Sequence, residues 1–188
     1  KKLKWRSAQE AELKPYNFSE PYIKTGQVGE CNSPEDVQAF IQLATSQNRA
    51  WIPQGGNTGL VRGSTPTEPT EDILRYVNRE LHVNPGQKVV EAGAAATIQD
   101  IQDHVAEYGL YFPVSYGSKG TATIGGAVAT NAGGMERRIQ HSCIGYEAVD
   151  GTGQLIRHQW EDPPTLLDSV WPDSRYHFLG SQGYFGCV

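Results

Sequence analysis

The sequence predicts an α+β domain, because two kinds of local pattern occur along it. Two stretches repeat apolar residues at helical spacing, whereas several short apolar runs end in turn-forming residues, which is typical of strands linked by hairpins. The regular succession of strand and helix that indicates a doubly wound parallel sheet does not occur. With 188 residues, the chain has room for one well-buried domain or for two subdomains that share an interface.

Composition limits the partners and the compartment. The net charge of −5 and the lack of long basic runs argue against nucleic acid. No apolar run approaches the roughly 20 residues of a membrane span, and the start lacks a signal-peptide core. We therefore expect a soluble protein in the cytoplasm, with the mitochondrial matrix as the alternative. Three scattered cysteines and histidines without HxH spacing predict neither disulfides nor a metal site.

The first structural element is expected in a polar N-terminal surface segment, residues 1–32, which we interpret as a surface helix and an irregular approach. A second and clearer helix is predicted over residues 34–46. Ser33 can cap it, Pro34 suits its first position, and acidic residues followed by an apolar repeat at helical spacing complete the pattern.

Short strands are predicted next. Ala50–Ile52 is an apolar run that leads into a glycine-rich loop, and Ile73–Tyr76 has a similar composition. Asn84–Gly86 is a turn signal, and the strand-like segment Lys88–Ala92 follows it. A hairpin is therefore expected around residue 85.

A third helix, and a further segment with a turn after it, complete the expected elements. Thr97 and Asp100 have the spacing of a capping box, an apolar stripe follows them, and Gly109 lies where a left-handed helix end belongs. Gly145–Val149 has the composition of a strand, and Asp150–Gly153 that of the turn after it.

Two dense glycine-rich stretches indicate a ligand site. We call Pro53–Gly63 the first glycine segment and Gly117–Gly134 the second glycine segment. Glycine allows successive backbone N–H groups to converge on an anion and allows a ligand to approach the main chain. The first segment could hold a pyrophosphate, and the small residues of the second leave room for a flat ring system. Both are interpreted as loops.

Two common phosphate-binding patterns are absent from the sequence. No GxGxxG opens a helix after a strand, and no GxxxxGK[ST] occurs. The glycines therefore predict a dinucleotide site that is neither a Rossmann fold nor a P-loop. Ordinary tight turns are the alternative interpretation.

The chain resembles the FAD-binding domain of the vanillyl-alcohol oxidase and p-cresol methylhydroxylase superfamily, and within it the branch of the D-2-hydroxyglutarate and D-lactate dehydrogenases. The stretches that carry this resemblance fall in the family's order. They are Pro53–Val61, Val90–Gly93, Thr123–Gly134, Gly145–Val149 and Leu179–Gly183. The resemblance implies a two-subdomain α+β fold, with subdomains of roughly residues 33–85 and 86–188, and with FAD as the cofactor.

The resemblance also implies which residues bind FAD. Those expected at the phosphates are Gly55, Gly56, Asn57, Thr58 and Gly59, and Gln54 and Gly63 are also expected to bind the cofactor. Those expected along the rest of the cofactor are Pro113, Gly117, Thr123, Ile124, Gly125, Gly126, Ala129, Asn131, Gly133 and Gly134. Some relatives carry a flavin-linking histidine directly after the paired glycines. Asn57 stands there in this chain, so non-covalent FAD is expected.

The function implied is the oxidation of D-2-hydroxy acids by hydride transfer to FAD. The resemblance implies a C-terminal substrate domain beyond this chain, so the substrate and the electron acceptor are expected to act through that domain, and no catalytic residue is assigned. This fragment alone is expected to be inactive. A homodimer or a partner subunit is a further expectation.

Two alternatives stay open at this stage. The first is a degenerate or truncated FAD-binding module or subunit without catalysis. It is motivated by Met135–Gln140, which replaces the Arg-Tyr-Gly step of the family, and by Gln182 in place of a glutamate. The second is a sugar or alditol oxidase with the same fold.

Overall fold

The computed structural model describes residues 3–11, 26–135, 137–160 and 178–188. Within these residues it contains three sheets, three α-helices and one 3₁₀ turn, which confirms the α+β class. The strands are β1 (Lys4–Arg6), β2 (Val28–Cys31), β3 (Trp51–Pro53), β4 (Asp72–Tyr76), β5 (Leu81–Asn84), β6 (Val89–Ala92), β7 (Gly145–Asp150), β8 (Leu155–Gln159) and β9 (Gly186–Cys187). The helices are α1 (Pro34–Ser46), α2 (Ile98–Ala106) and α3 (Ile124–Thr130), and the 3₁₀ turn is Ile139–His141.

The first sheet has the strand order β1-β2-β4-β3. Strands β2 and β3 both run parallel to β4, so that Val28 and Ile52 flank the fully buried Ile73 from its two sides. Helix α1 covers this sheet with an apolar face that includes the fully buried Phe40 and Ile41. Its predicted bounds are confirmed, and the Ser33 side chain accepts a hydrogen bond from the Asp36 N–H as an N-cap.

The surface helix expected near the start is wrong for the residues that form β1. Strand β1 pairs antiparallel with β2, and Trp5 stacks on the Phe40 ring with centroids 5.3 Å apart. Lys4 and Arg6 point the other way and form ion pairs of 3.3 and 3.0 Å with Glu30. An inward aromatic residue between two outward charges has the two-residue period of a strand. Pairing with β2 therefore makes these residues a strand and not a helix. The rest of that expectation, residues 12–25, lies outside the described residues.

The predicted hairpin at residue 85 is confirmed as β5 and β6, which form a two-stranded sheet. Asn84 fixes its turn by accepting a hydrogen bond from the Gln87 N–H at 3.1 Å. Helix α2 packs its buried Ile101 and Val105 against this hairpin. The capping box at its start is formed as expected, and Gly109 has a φ of +69°.

The third sheet has the order β8-β7-β9, and all its pairings are antiparallel. The turn from β7 to β8 is confirmed, and the Asp150 carboxylate holds it by accepting hydrogen bonds from Thr152 and Gln154. Burial acts to raise the pKa of Asp150, but the hydrogen bonds to its charged carboxylate together outweigh burial and lower the pKa. Val149 and Cys187 of this sheet share a buried core with α1.

The prediction that the second glycine segment is a continuous loop is wrong. Helix α3 occupies its centre and begins at Thr123, whose hydroxyl accepts a hydrogen bond from the Gly126 N–H at 3.3 Å. The helix forms despite the low helix propensity of its paired glycines, because its first amides bond to carbonyls outside the helix. None of the helices within the described residues is long and apolar enough to cross a bilayer.

Candidate functional site

The first glycine segment leaves the end of β3 as a loop that is tied at its base by Gln54. The Gln54 side chain is buried, and its amide donates a hydrogen bond of 2.7 Å to the carbonyl oxygen of Ser64. The Gln54 N–H donates to the Leu74 carbonyl of β4 at 2.9 Å. Gln54 therefore joins the two ends of the loop to each other and to the first sheet.

Asn57 lies in the middle of this loop in the left-handed conformation, with a φ of +51°. Its Oδ1 accepts hydrogen bonds from the Ser64 hydroxyl at 2.8 Å and from the Thr65 hydroxyl at 3.5 Å. Asparagine tolerates this backbone better than most residues. The side chain expected beside the phosphates is therefore also an internal anchor of the loop.

Four amides of the first glycine segment donate to no acceptor within the described part of the chain. They are the N–H groups of Gly55, Gly56, Thr58 and Gly59, and all four residues are at least partly exposed. The left-handed Asn57 interrupts this series. A left-handed residue in such a series helps to direct neighbouring N–H groups toward one point, as in backbone anion sites.

The paired glycines have a second role, because they allow the two glycine segments to touch. A methyl group at Gly55 would overlap the Thr123 side chain. One at Gly56 would overlap the Thr121 carbonyl and would lie 3.3 Å from the Ala122 Cα. The structure thus brings the two predicted segments together, and glycine is required where their backbones meet.

Gly59, Gly117 and Gly120 differ from these, because a methyl group on any of them would meet nothing within 4 Å. None of the three has a positive φ, so the fold itself does not require glycine there. Open space beside such a backbone fits the close approach of a ligand. Gly59 and Gly117 were predicted in the site, whereas Gly120 was not.

The backbone amides at the start of α3 form hydrogen bonds within the protein. The N–H groups of Ile124 and Gly125 donate to the carbonyls of Ala96 and Ala94 at 2.8 and 3.0 Å. A methyl group at Gly125 would come within 2.8 Å of the Ala94 Cβ. These amides and this glycine position α3 against the loop before α2. Whether Thr123, Ile124, Gly125 and Gly126 also contact a cofactor stays a prediction.

The end of α3 is likewise occupied. Asn131 closes the helix with a φ of +49°, and its side-chain amide donates to Gln140. The Ala129 carbonyl accepts the Gln182 N–H at 2.7 Å, and the Val128 carbonyl accepts the Gly180 N–H at 2.9 Å. The glycine motif near residue 180 therefore packs on α3, and the predicted site residues Ala129 and Asn131 lie at this junction.

Gly133 and Gly134 lie in a tight reversal after α3. A methyl group at Gly134 would overlap the Ser115 carbonyl, and one at Gly133 would lie 2.6 Å from the Arg138 Cγ. Gly133 pairs with Arg138 in an isolated bridge, and Met135 at the tip is fully exposed. Glycine is needed here because the backbone passes directly over residues 115 and 138.

The segment before the second glycine segment is held by Gln102 of α2. Its side-chain amide donates to the carbonyls of Phe112 and Val114 at 3.5 and 3.0 Å, one on each side of Pro113. The Lys119 amine donates to the Gln102 Oε1 at 3.0 Å. Pro113 and Gly117 thus lie on a stretch whose two ends are fastened to one side chain.

Charge in the two segments is cationic only. Arg62 is the sole charged residue of Pro53–Gly63, and Lys119 is the sole charged residue of Gly117–Gly134. Gly63 next to Arg62 lies beside Gln182, whose Oε1 would be 3.6 Å from a methyl group on that glycine. The two segments contain no acidic residue, although the whole chain has a net charge of −5. Their own charge therefore favours an anionic ligand.

The buried thiols are unsuited to nucleophilic chemistry. Burial raises the pKa values of Cys31 and Cys187 to about 12, and burial also raises the pKa of Cys143. All three therefore stay protonated near neutral pH. Burial raises the pKa of Tyr116 as well, and its enclosed hydroxyl has no hydrogen-bond partner among the residues that the structure describes.

Comparison with protein families agrees with this site. A family model described as an FAD binding domain matches residues 26–159. The chain belongs to this family. The FAD-binding domain is thus confirmed, and FAD is its cofactor. The dinucleotide fits the site described above, because the unpaired amides suit its pyrophosphate and the open glycine backbones allow its close approach.

Curated relatives confirm the resemblance to the hydroxy-acid dehydrogenase branch. The D-2-hydroxyglutarate dehydrogenase of Xanthomonas citri is 31% identical over 162 residues, which is 83% of this chain and 34% of the relative. The D-lactate dehydrogenase of Archaeoglobus fulgidus is 33% identical over 161 residues, which is 84% of this chain and 35% of the relative. The FAD-binding domain therefore spans about a third of the length of these relatives.

Solved structures confirm the p-cresol methylhydroxylase type of fold. A glucose dehydrogenase, wild-type Phl p 4.0202, has a TM-score of 0.72 at 16% identity, over 91% of this chain and 35% of that chain. An alkyldihydroxyacetonephosphate synthase has a TM-score of 0.70 at 19% identity, over 87% of this chain and 30% of that chain. The expected fold, distinct from the Rossmann fold, is therefore correct.

Proposed function

We propose that this chain is the FAD-binding domain of a dehydrogenase that oxidises D-2-hydroxy acids of the D-2-hydroxyglutarate or D-lactate type. The observation that carries the proposal is the series of unpaired amides in the first glycine segment, at Gly55, Gly56, Thr58 and Gly59. The names of the curated relatives support the substrate class. FAD, when bound, supplies the ring system that accepts a hydride from the substrate carbon.

The protein's part in this proposal is to bind and orient the cofactor. The four unpaired amides would hold the pyrophosphate, and Gly117 and Gly120 would let the rest of the cofactor lie against the backbone. Asn57 would leave the flavin unlinked, since a carboxamide is a poor nucleophile and its oxygen already accepts two hydroxyl hydrogen bonds. Substrate and electron acceptor are assigned to no residue of this chain.

Compartment and assembly also remain proposals. A relative from Arabidopsis thaliana carries the word mitochondrial in its name, whereas the relative from Xanthomonas citri is bacterial. We keep the cytoplasm as the first expectation and the mitochondrial matrix as the second. A homodimer or a partner subunit likewise stays a proposal.

Flavin binding by the purified protein tests the proposal directly. We expect a yellow protein whose flavin is released into the supernatant when the protein is precipitated with acid, as non-covalent binding requires. A colourless protein that takes up no added FAD in a fluorescence titration would contradict the cofactor assignment. Flavin that stays with the acid precipitate would contradict the non-covalent one.

A non-catalytic FAD-binding module is the second candidate. The tight reversal at Gly133 and Gly134 favours it, because an exposed Met135 and the Gly133–Arg138 bridge stand where the family has its Arg-Tyr-Gly step. Anaerobic addition of D-lactate or D-2-hydroxyglutarate separates the candidates. The test uses the whole encoded protein, because this chain alone is expected to be inactive. Bleaching of the bound flavin there supports the dehydrogenase, whereas unchanged flavin that dithionite still reduces supports the module. Bleaching by sugars instead would support a sugar oxidase.

A further inference from the structure

We propose that Ser64 is a positioning residue for the cofactor, although its side chain lies outside the first glycine segment. It fixes the conformation in which the unpaired amides of the loop meet the FAD pyrophosphate. The proposal rests on the proposed function, since it assigns a role toward the same cofactor. Neither the composition of the loop nor its glycine spacing pointed to this serine.

Ser64 is held in place by its backbone. Its carbonyl accepts the hydrogen bond of 2.7 Å from Gln54, ten residues earlier in the chain. Gln54 is only 6% exposed, and its own N–H is bonded to the first sheet. Ser64 is therefore joined to the first sheet through Gln54, whose buried polar groups are all expected to be hydrogen-bonded.

The side chain of Ser64 also binds Asn57, in the middle of the loop. Its hydroxyl donates to the Asn57 Oδ1 at 2.8 Å, a good distance for a bond between oxygens. The Thr65 hydroxyl reaches the same oxygen only at 3.5 Å, so Ser64 is the principal donor. Gln54, Ser64 and Asn57 thus form a chain of contacts, which we call the loop clasp.

Asn57 in turn controls the amides on both sides of it. Its left-handed backbone, with a φ of +51°, separates the N–H groups of Gly55 and Gly56 from those of Thr58 and Gly59. This conformation is uncommon for a residue with a side chain, so a side-chain anchor helps to retain it. Without the loop clasp, FAD binding would have to order the loop, and the free energy this costs would weaken the affinity for FAD.

Alanine substitution tests the proposal by binding, without any need for turnover. Ser64→Ala should weaken the affinity for FAD about three- to tenfold, the usual result of losing one hydrogen bond. The affinity for ADP should fall by the same factor, because ADP has the pyrophosphate but no flavin. Ser64→Thr should restore both affinities. Ser46→Ala is the matched control, because that hydroxyl donates at 2.8 Å to Leu43 at the exposed end of α1.

A double-mutant cycle distinguishes positioning from a general loss of structure. Asn57→Gly introduces a residue that adopts a positive φ without an anchor. Adding Ser64→Ala to Asn57→Gly should therefore change the FAD affinity by less than twofold. A full additional loss would overturn the proposal, as would unchanged FAD affinity in Ser64→Ala or a loss for FAD but not for ADP. If the unaltered protein binds no FAD at all, the proposed function fails instead.

Discussion

In the first glycine segment four backbone amides donate to no acceptor within the described chain, whereas in the second segment Ile124, Gly125 and Gly126 all donate to acceptors inside the protein. The two segments have similar compositions but present different surfaces. The first offers donors, and the second forms a short helix that supports it. Glycine density therefore identifies a site but does not tell which of its glycines meet the ligand and which meet the protein.

Four substitutions test this difference between the two segments, and they are given in order of decreasing expected loss of stability. Gly56→Ala should have the largest effect, because its methyl group would overlap the Thr121 carbonyl of the second segment. Backbone cannot move aside as a flexible side chain does, and we expect a loss of roughly 2–3 kcal/mol in the free energy of unfolding. Urea denaturation measures it. Equal stability of Gly56→Ala and Gly117→Ala would contradict the distinction between packed and open glycines.

Asn131→Ala should have the second largest effect. Alanine is strained at a φ of +49°, and the contact with Gln140 would be lost. We expect a loss of about 2 kcal/mol in the free energy of unfolding. Thermal unfolding measures the loss, and Asn131→Gly is the control, since glycine accepts this backbone. A glycine variant as unstable as the alanine variant would contradict the backbone explanation.

Thr123→Ala removes the N-cap of α3. The hydroxyl accepts the Gly126 N–H at 3.3 Å, and we expect a loss of about 1 kcal/mol in the free energy of unfolding. Chemical denaturation measures it, and Thr123→Ser should restore most of the stability. If serine restores none of it, packing of the threonine methyl group against the first segment is the cause.

Of the four substitutions, Gly59→Ala should have the smallest effect on the free energy of unfolding, but it should clearly weaken the binding of FAD. Its methyl group would meet nothing within 4 Å, so the free energy of unfolding should stay within about 0.5 kcal/mol of the original value. The affinity for FAD should fall about tenfold, or roughly 1.4 kcal/mol, because that methyl group would occupy the space proposed for the ligand. Isothermal titration with FAD measures this, and unchanged affinity would remove Gly59 from the site.

Local signals in the sequence were enough to predict α1 and α2. The Ser33 cap and the capping box at Thr97 and Asp100 act over three or four residues, so they can be recognised without any tertiary contact. The hairpin at residue 85 follows from turn chemistry in the same way. The family resemblance then supplied the fold and the cofactor.

Elements that depend on distant contacts could not be predicted. Strand β1 forms because Trp5 stacks on Phe40 of α1, thirty-five positions later in the chain. Helix α3 has the composition of a loop and is held by Ala94 and Ala96. The role of Ser64 depends on contacts seven and ten residues apart in irregular backbone, where no periodicity exists to indicate them.

Helix α1 has a consequence for how the domain opens. Its buried face shares one apolar core with the first sheet and with Val149 and Cys187 of the third sheet. The Gln38 amide also donates to the Gly153 carbonyl at 2.7 Å. Neither sheet can separate from α1 without exposing apolar surface that belongs to the other. Slow amide hydrogen exchange in β4 and β7 should therefore report a single cooperative opening. The first glycine segment, which starts at β3, would lose its support from the first sheet only in that opening.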